Sequence, residues 1–187
     1  LTYLIFIFLS TGIISGFLAG LLGVGGGIII VPITYIVLLN LGYSMDIVMH
    51  VAIASSLGII CLTSISSIRS HIKLGNTNFE IVKKWCLGII TGSLIGSMIA
   101  SNISGEILIT IFIFLALIIS INMGLQTKPL FISNDLPKSK FANFFISSSI
   151  GFLSVLIGIG GGSFSVPALT MFSKKIHEAV GTSAFFG

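Results

Sequence analysis

Charged side chains are so sparse in this chain that their positions alone cut it into membrane-length pieces. Charge-free runs cover 1–45, 47–68, 85–105, 107–127 and 141–173, and another begins at 179. A helix needs about 20 apolar residues to cross a hydrocarbon core of about 30 Å, and every complete run exceeds that. Only 7% of the residues are charged and 55% are hydrophobic, whereas a water-soluble domain carries about a quarter charged residues. A polytopic, all-α integral membrane protein follows.

The first run is too long for one crossing. Its 39 residues before Asn40 would make a helix of roughly 58 Å at ~1.5 Å per residue, so something must interrupt it. Gly25-Gly26-Gly27 is the natural place, leaving a helix over about 3–22 and a shorter apolar piece over about 28–39. The run at 141–173 divides the same way at Gly160-Gly161-Gly162. The two breaks are copies: Gly16-Phe17-Leu18 through Gly23 and Gly25–Gly27 to Pro32 repeats at an offset of 135 as Gly151-Phe152-Leu153 through Gly158 and Gly160–Gly162 to Pro167. A second pair follows at an offset of 127, His50-Val51-Ala52-Ile53-Ala54-Ser55-Ser56 against His177-Glu178-Ala179-Val180-Gly181-Thr182-Ser183. Paired glycine interruptions in two halves of a membrane chain point to a transporter's binding site.

The expected architecture is two repeats of about four transmembrane helices, the first helix of each broken at its glycine motif. Residues 1–127 form the first repeat, 128–140 a cytoplasmic linker, and 141–187 the beginning of the second. Completing the second half by analogy with the first would take about two and a half more helices, so about six of eight segments are expected here. Residues 1–22 lack a basic leading region and read as a span, not as a cleaved signal peptide. Loops 69–84 and 123–140 hold seven of the nine Lys and Arg residues, which places both in the cytoplasm. If each broken segment makes one net crossing, Lys174 and Lys175 lie on the outer side, against this trend.

Gly12, Gly16 and Gly20 on the first helix, and Gly88, Gly92 and Gly96 on the third, recur every four residues. Such faces let helix backbones dock in lipid. Packing within one subunit is the expected use, homo-oligomer formation the alternative. Trp85, beside Lys83 and Lys84, is expected as an interfacial anchor, the phenylalanines of the second half as lipid contacts, and Cys61 and Cys86 as buried thiols.

Each break leaves backbone N–H groups without a helical acceptor at the start of the following half-helix, near Ile28 and Ser163, where the bilayer offers no partner. Helix N-termini attract anions through those groups and the macrodipole. Pro32 and Pro167 each remove a further donor inside the half-helix. Ser55, Ser56, Thr182 and Ser183 are candidate hydroxyls along a pathway, although such residues often bond their own helix. His50 and His177 fall at membrane boundaries, where a gating or proton-linked role competes with simple interfacial placement.

Other chemistries find no support in the residues. No acidic or basic side chain lies inside a predicted span, so no carboxylate relay is visible. There is no phosphate-binding loop, no nucleophile elbow and no Cys/His spacing suited to a metal. Catalytic residues, cofactors and nucleic-acid partners are not expected; the expected partners are a small anion and the bilayer.

With Gly23 to Pro32, Gly158 to Pro167 and the Ala179-Val180-Gly181-Thr182-Ser183 element, the chain resembles the sulfite exporter TauE/SafE family of bacterial membrane transporters. The first half has Ala54-Ser55-Ser56 where that pattern has Gly-Thr-Ser. The resemblance implies a multi-pass inner-membrane carrier of small anions, typically sulfite or organosulfonates. Two other readings fit the residues: a passive anion channel, and an intramembrane enzyme or assembly subunit without transport of its own.

Overall fold

The computed structural model describes residues 2–22, 26–124, 133 and 135–187, and within them the chain is all helical. The order is α1 (Thr2–Leu22), α2 (Gly27–Asn40), α3 (Met45–Lys73), α4 (Phe79–Ala100), α5 (Gly105–Gly124), α6 (Lys140–Ile157), α7 (Gly162–Met171) and α8 (Ile176–Ser183), closed by a 3-10 turn over Ala184–Phe186. Among the described residues four helices, α1, α3, α4 and α6, are long and apolar enough to cross a membrane, and α2 and α5 are shorter apolar helices. The expected break in the first run is present, with Gly26 as N-cap of α2; Gly23 and Gly25 lie outside the described residues.

Among the described residues the closest packing joins α4 to α6, and glycine makes it so. A methyl group on Gly88 would overlap Ser147 Oγ, one on Gly92 would overlap Ser148 O, and one on Gly96 would stand 2.9 Å from Phe152 O. Gly151 returns the favour, meeting the backbone of Ile89. The partners climb together along both helices, so α4 and α6 run parallel. Trp85 is fully buried in this seam, donating from Nε1 to Asn143 Oδ1 at 3.1 Å and stacking on Phe186. It is not an interfacial anchor: the shape of the seam, not the nearby lysines, decides its place.

Parallel α4 and α6 start at the same end of the bundle, where α3 also finishes. Arg69, Lys73, Lys83, Lys84, Lys138 and Lys140 collect there, and Asp46 and Glu106 lie at the opposite end, where Gly105 packs on Met45 O.

Lys174 and Lys175 are also at the basic end, contrary to the expectation that the second broken segment crosses the membrane once. Lys174 pairs with Asp135 at 3.6 Å, Ser133 N donates to Met171 O at 3.5 Å, and Gly181 packs on Asn76 in the α3–α4 turn. After the break, α7 therefore turns back toward the end from which α6 came. In the first half α2 does the reverse. Gly27 lies against Ser56, eleven residues into α3, and Asn40 joins α3 through a four-residue turn, so α2 runs antiparallel to α3 toward the acidic end. The half-helices leave a common level in opposite directions.

The change of offset from 135 to 127 also has a structural cause. α2 and α7 start 135 residues apart, each with proline at its sixth position. α7 is four residues shorter, and His177 is the second residue of α8 whereas His50 is the sixth of α3. The two four-residue turns are equal, each with a left-handed second residue, Gly42 or Ser173. Removing about one turn, ~3.6 residues, from each arm of a helical hairpin keeps the facing sides in register.

Two apolar clusters flank the breaks. Val31, Met49, Ile53, Leu108, Leu156 and Ile157 fill the acidic-end side, and Ile81, Trp85, Ile150, Leu169, Ala179 and Phe186 fill the basic-end side. Phenylalanines of the second half mostly serve this interior: Phe172 and Phe186 are buried, Phe152, Phe164 and Phe185 partly so, and Phe144 and Phe145 face outward. Both cysteines are exposed on the outer face, not buried.

Candidate functional site

The two glycine breaks meet. A methyl group on Gly27 would overlap Gly158 O and lie 2.5 Å from Ile159 Cα, so only glycine lets the start of α2 touch the second break. Ser56, with no exposed surface, donates its Oγ hydrogen to Gly158 O at 2.6 Å. It bonds across the halves, not back to its own helix. Gly158 and Gly160 hold φ of +66° and +82°, left-handed backbone that strains any residue with a Cβ. Gly161 N donates to Phe186 O at 3.0 Å, and a side chain there would overlap that carbonyl. Ser163 is buried in the first turn of α7.

α2 and α7 therefore bring their N-terminal ends to one junction from opposite ends of the bundle. Each end presents first-turn N–H groups and the positive pole of its macrodipole.

A cavity of about 500 Å³ opens beside the junction. Gly26, Ile159, Gly160 and Gly162 line it at the breaks, and it extends along α3 from Ile59, at that helix's midpoint, to His71 near its end. The opposite wall is the small-residue face of α1. Gly12, Gly16 and Gly20, expected to dock a helix, would each have room for a methyl group with nothing within 4 Å of it, and line the cavity instead. Thr11 and Ser15 on the same face bond back to Ile7 O and Gly12 O.

The remaining candidate residues divide. Ser183 lines the cavity. Thr182 accepts a hydrogen bond from Asn78 N at 3.0 Å and serves the contact between α8 and the α3–α4 turn, which Asn78 reinforces by donating to Glu178 Oε1 at 2.7 Å. Ser55 is exposed on the outer side of α3 and does not line the cavity. His50 places Nδ1 2.9 Å from Asp46 O and Nε2 3.1 Å from Ala100 O, tying α3 to the end of α4 away from the cavity. His177 is exposed at the basic end. Pro32 and Pro167 sit inside α2 and α7, one turn and a half from the junction. Sequence reasoning missed His71, Thr63, Ser64 and Ser67, which line the cavity along α3; their spacing along one face was the available signal. Among the described residues no group of three or more His, Cys, Asp or Glu could hold a metal ion.

Residues 8–187 match the family described as Sulfite exporter TauE/SafE. A protein of Haemophilus influenzae named "Probable membrane transporter protein" is 34% identical over 179 residues, covering 96% of this chain and 67% of that relative. Proteins of Bacillus subtilis and Methanocaldococcus jannaschii with the same kind of name are each 30% identical, over 93% and 92% of this chain and 70% and 64% of their own lengths. The chain thus spans about two thirds of the length of these relatives. No solved structure matches it.

Proposed function

Because the chain belongs to the sulfite exporter TauE/SafE family of membrane transporters, we propose that it carries small anions, sulfite or organosulfonates first among them, by alternating access at the junction of its two helix breaks. The observation that carries this reading is the arrival of α2 and α7 at one junction, N-terminus inward, from opposite ends of the bundle. That is the arrangement of inverted repeats with discontinuous helices around a central site. Anion recognition comes from helix poles and hydroxyls, which hold the substrate without a fixed charge that would bind it too tightly to release. In this conformation the cluster of Val31, Met49, Ile53 and Leu156 closes the acidic-end side, and the cavity reaches toward the basic, cytoplasmic end. Transport requires the reverse state, in which the α7–α8 side closes and the α2–α3 side opens.

The test is uptake of labelled sulfite into proteoliposomes containing the full-length protein. Saturable flux competed by organosulfonates, and lost in Gly26→Val, is the expected result. Flux that rises linearly with concentration, without competition, would instead describe a channel, and no flux from inserted, folded protein would remove the transport reading.

A further inference from the structure

Trp85 is the sole tryptophan of the sequence, and it is fully buried between two groups that constrain it from opposite sides. On one side its Nε1 donates to Asn143 Oδ1 at 3.1 Å. Asn143 is itself fixed, because its Nδ2 donates to the carbonyls of Pro137 and Ser139; carbonyls only accept, so Oδ1 is left to face the indole. On the other side the indole lies against the Phe186 ring, with centroids 6.0 Å apart and planes 28° from parallel. Phe186 is the residue whose carbonyl accepts from Gly161 N at the second break, at 3.0 Å. A methyl group on Gly161 would overlap both the carbonyl and the Cβ of Phe186, so glycine is what lets Phe186 reach the break. A continuous series of contacts therefore runs from the linker before α6 through Asn143, Trp85 and Phe186 to the N-cap of α7. It passes from the second half to the first and back again. The neighbouring Phe185 meets Phe79 edge-on at 5.8 Å, so α4 grips the 3-10 turn through two rings.

We propose that Trp85 is a positioning residue of the transport site: it sets the Phe186 carbonyl, and through that carbonyl the N-terminal end of α7 at the junction. This rests on the transport reading and deepens it by naming what holds one of the two breaks in place. The N–H of the N-cap is among the donors that a helix cannot satisfy internally, and here its direction is fixed by the carbonyl it meets. Stacked rings have a preferred mutual geometry, which an aliphatic side chain of similar volume would not impose on Phe186. Coupling of this kind is reciprocal. An anion drawn to the donors of α7 acts on the Gly161–Phe186 bond and alters the surroundings of the indole, which makes Trp85 emission a reporter of the site.

The test uses methanesulfonate, which does not absorb where tryptophan is excited, with the full-length protein. Titrating it into wild-type protein in detergent should change the emission saturably, and Trp85→Phe should remove that change. A saturable change that survives Trp85→Phe, or none in protein that transports methanesulfonate, overturns the proposal. In proteoliposomes Trp85→Leu, which removes both the ring and the donor, should raise KM about tenfold, and Trp85→Phe, which keeps a ring against Phe186, should recover most of that loss. Ile89→Ala, one turn along α4 in the same apolar cluster, is the comparison: it should lower the thermal midpoint and leave KM at the wild-type value. A Trp85→Leu protein that loses stability but keeps the wild-type KM makes Trp85 a packing residue and overturns the proposal. If Trp85→Leu does not fold, the wild-type titration and Trp85→Phe decide. Saturable emission without flux would remove the transport reading and leave the link between Trp85 and the anion site standing; flux without a change in emission would do the reverse.

Discussion

Gly27→Ala perturbs the junction by the smallest covalent change available. The new Cβ would stand 2.5 Å from Ile159 Cα, where ordinary contact begins at 3.4 Å, and would also overlap Gly158 O. Neither neighbour is a flexible side-chain tip, so the two breaks must part by about 1 Å, an overpacking that costs about 1–3 kcal/mol. The fold can absorb that loss. A transport site is less tolerant, since misplacing interacting groups by ~1 Å costs on the order of 100-fold in rate. The control is Gly26→Ala, one residue away, whose Cβ meets the tip of the Ile30 side chain at 3.2 Å and Ser15 Cβ at 3.6 Å. Initial rates of labelled sulfite uptake by both variants of the full-length protein, at matched reconstitution, should show Gly27→Ala depressed about 100-fold and Gly26→Ala near the wild-type rate. Equal loss in the two, or an unimpaired Gly27→Ala, would refute the claim that contact between the breaks positions the site.

Ser56→Ala should lower stability by about 0.6–1.7 kcal/mol, the range for interhelical hydrogen bonds in membranes, read as a lower thermal midpoint in detergent. Gly92→Leu should destabilise the protein by about 1–3 kcal/mol or prevent folding, because the α4–α6 seam has no room, whereas Gly12→Leu should leave the midpoint unchanged and block transport by filling the cavity. Cysteines placed at Lys174 and Lys73 should react with an impermeant thiol reagent from one side of the membrane, and one at Tyr43 from the other; opposite labelling of positions 174 and 73 would contradict the return of α7.

Helix extents were legible in the sequence because charge spacing and glycine clusters are local signals: pieces expected over 3–22 and 28–39 are Thr2–Leu22 and Gly27–Asn40. Direction was not. The charge-free run 141–173 accommodates either a single crossing or a reversal, and the contacts that decide, Lys174 with Asp135 and Ser133 with Met171, join residues about 40 positions apart in sequence. Glycine spacing has the same limit. Gly12, Gly16 and Gly20 repeat as regularly as Gly88, Gly92 and Gly96, yet one face borders a cavity and the other a helix; spacing reports that a face is small, not what meets it. Ser56 and Ser55 are adjacent in sequence and a helix's ~100° turn apart, so one reaches the junction and the other points outward. His71 was hidden by Arg69 and Lys73, whose charges marked the segment as a loop although α3 extends through it.

The most direct test of a central anion site is alkylation of a single cysteine at Gly26, with Cys61 and Cys86 replaced by serine, in the full-length protein with and without sulfate, which reacts with neither thiol nor maleimide. Sulfate bound at the junction should slow modification at position 26 and leave a control cysteine at Gly42 unaffected. Equal rates with and without sulfate at position 26, in protein that still transports sulfate, would place the anion elsewhere and contradict a site between the two breaks.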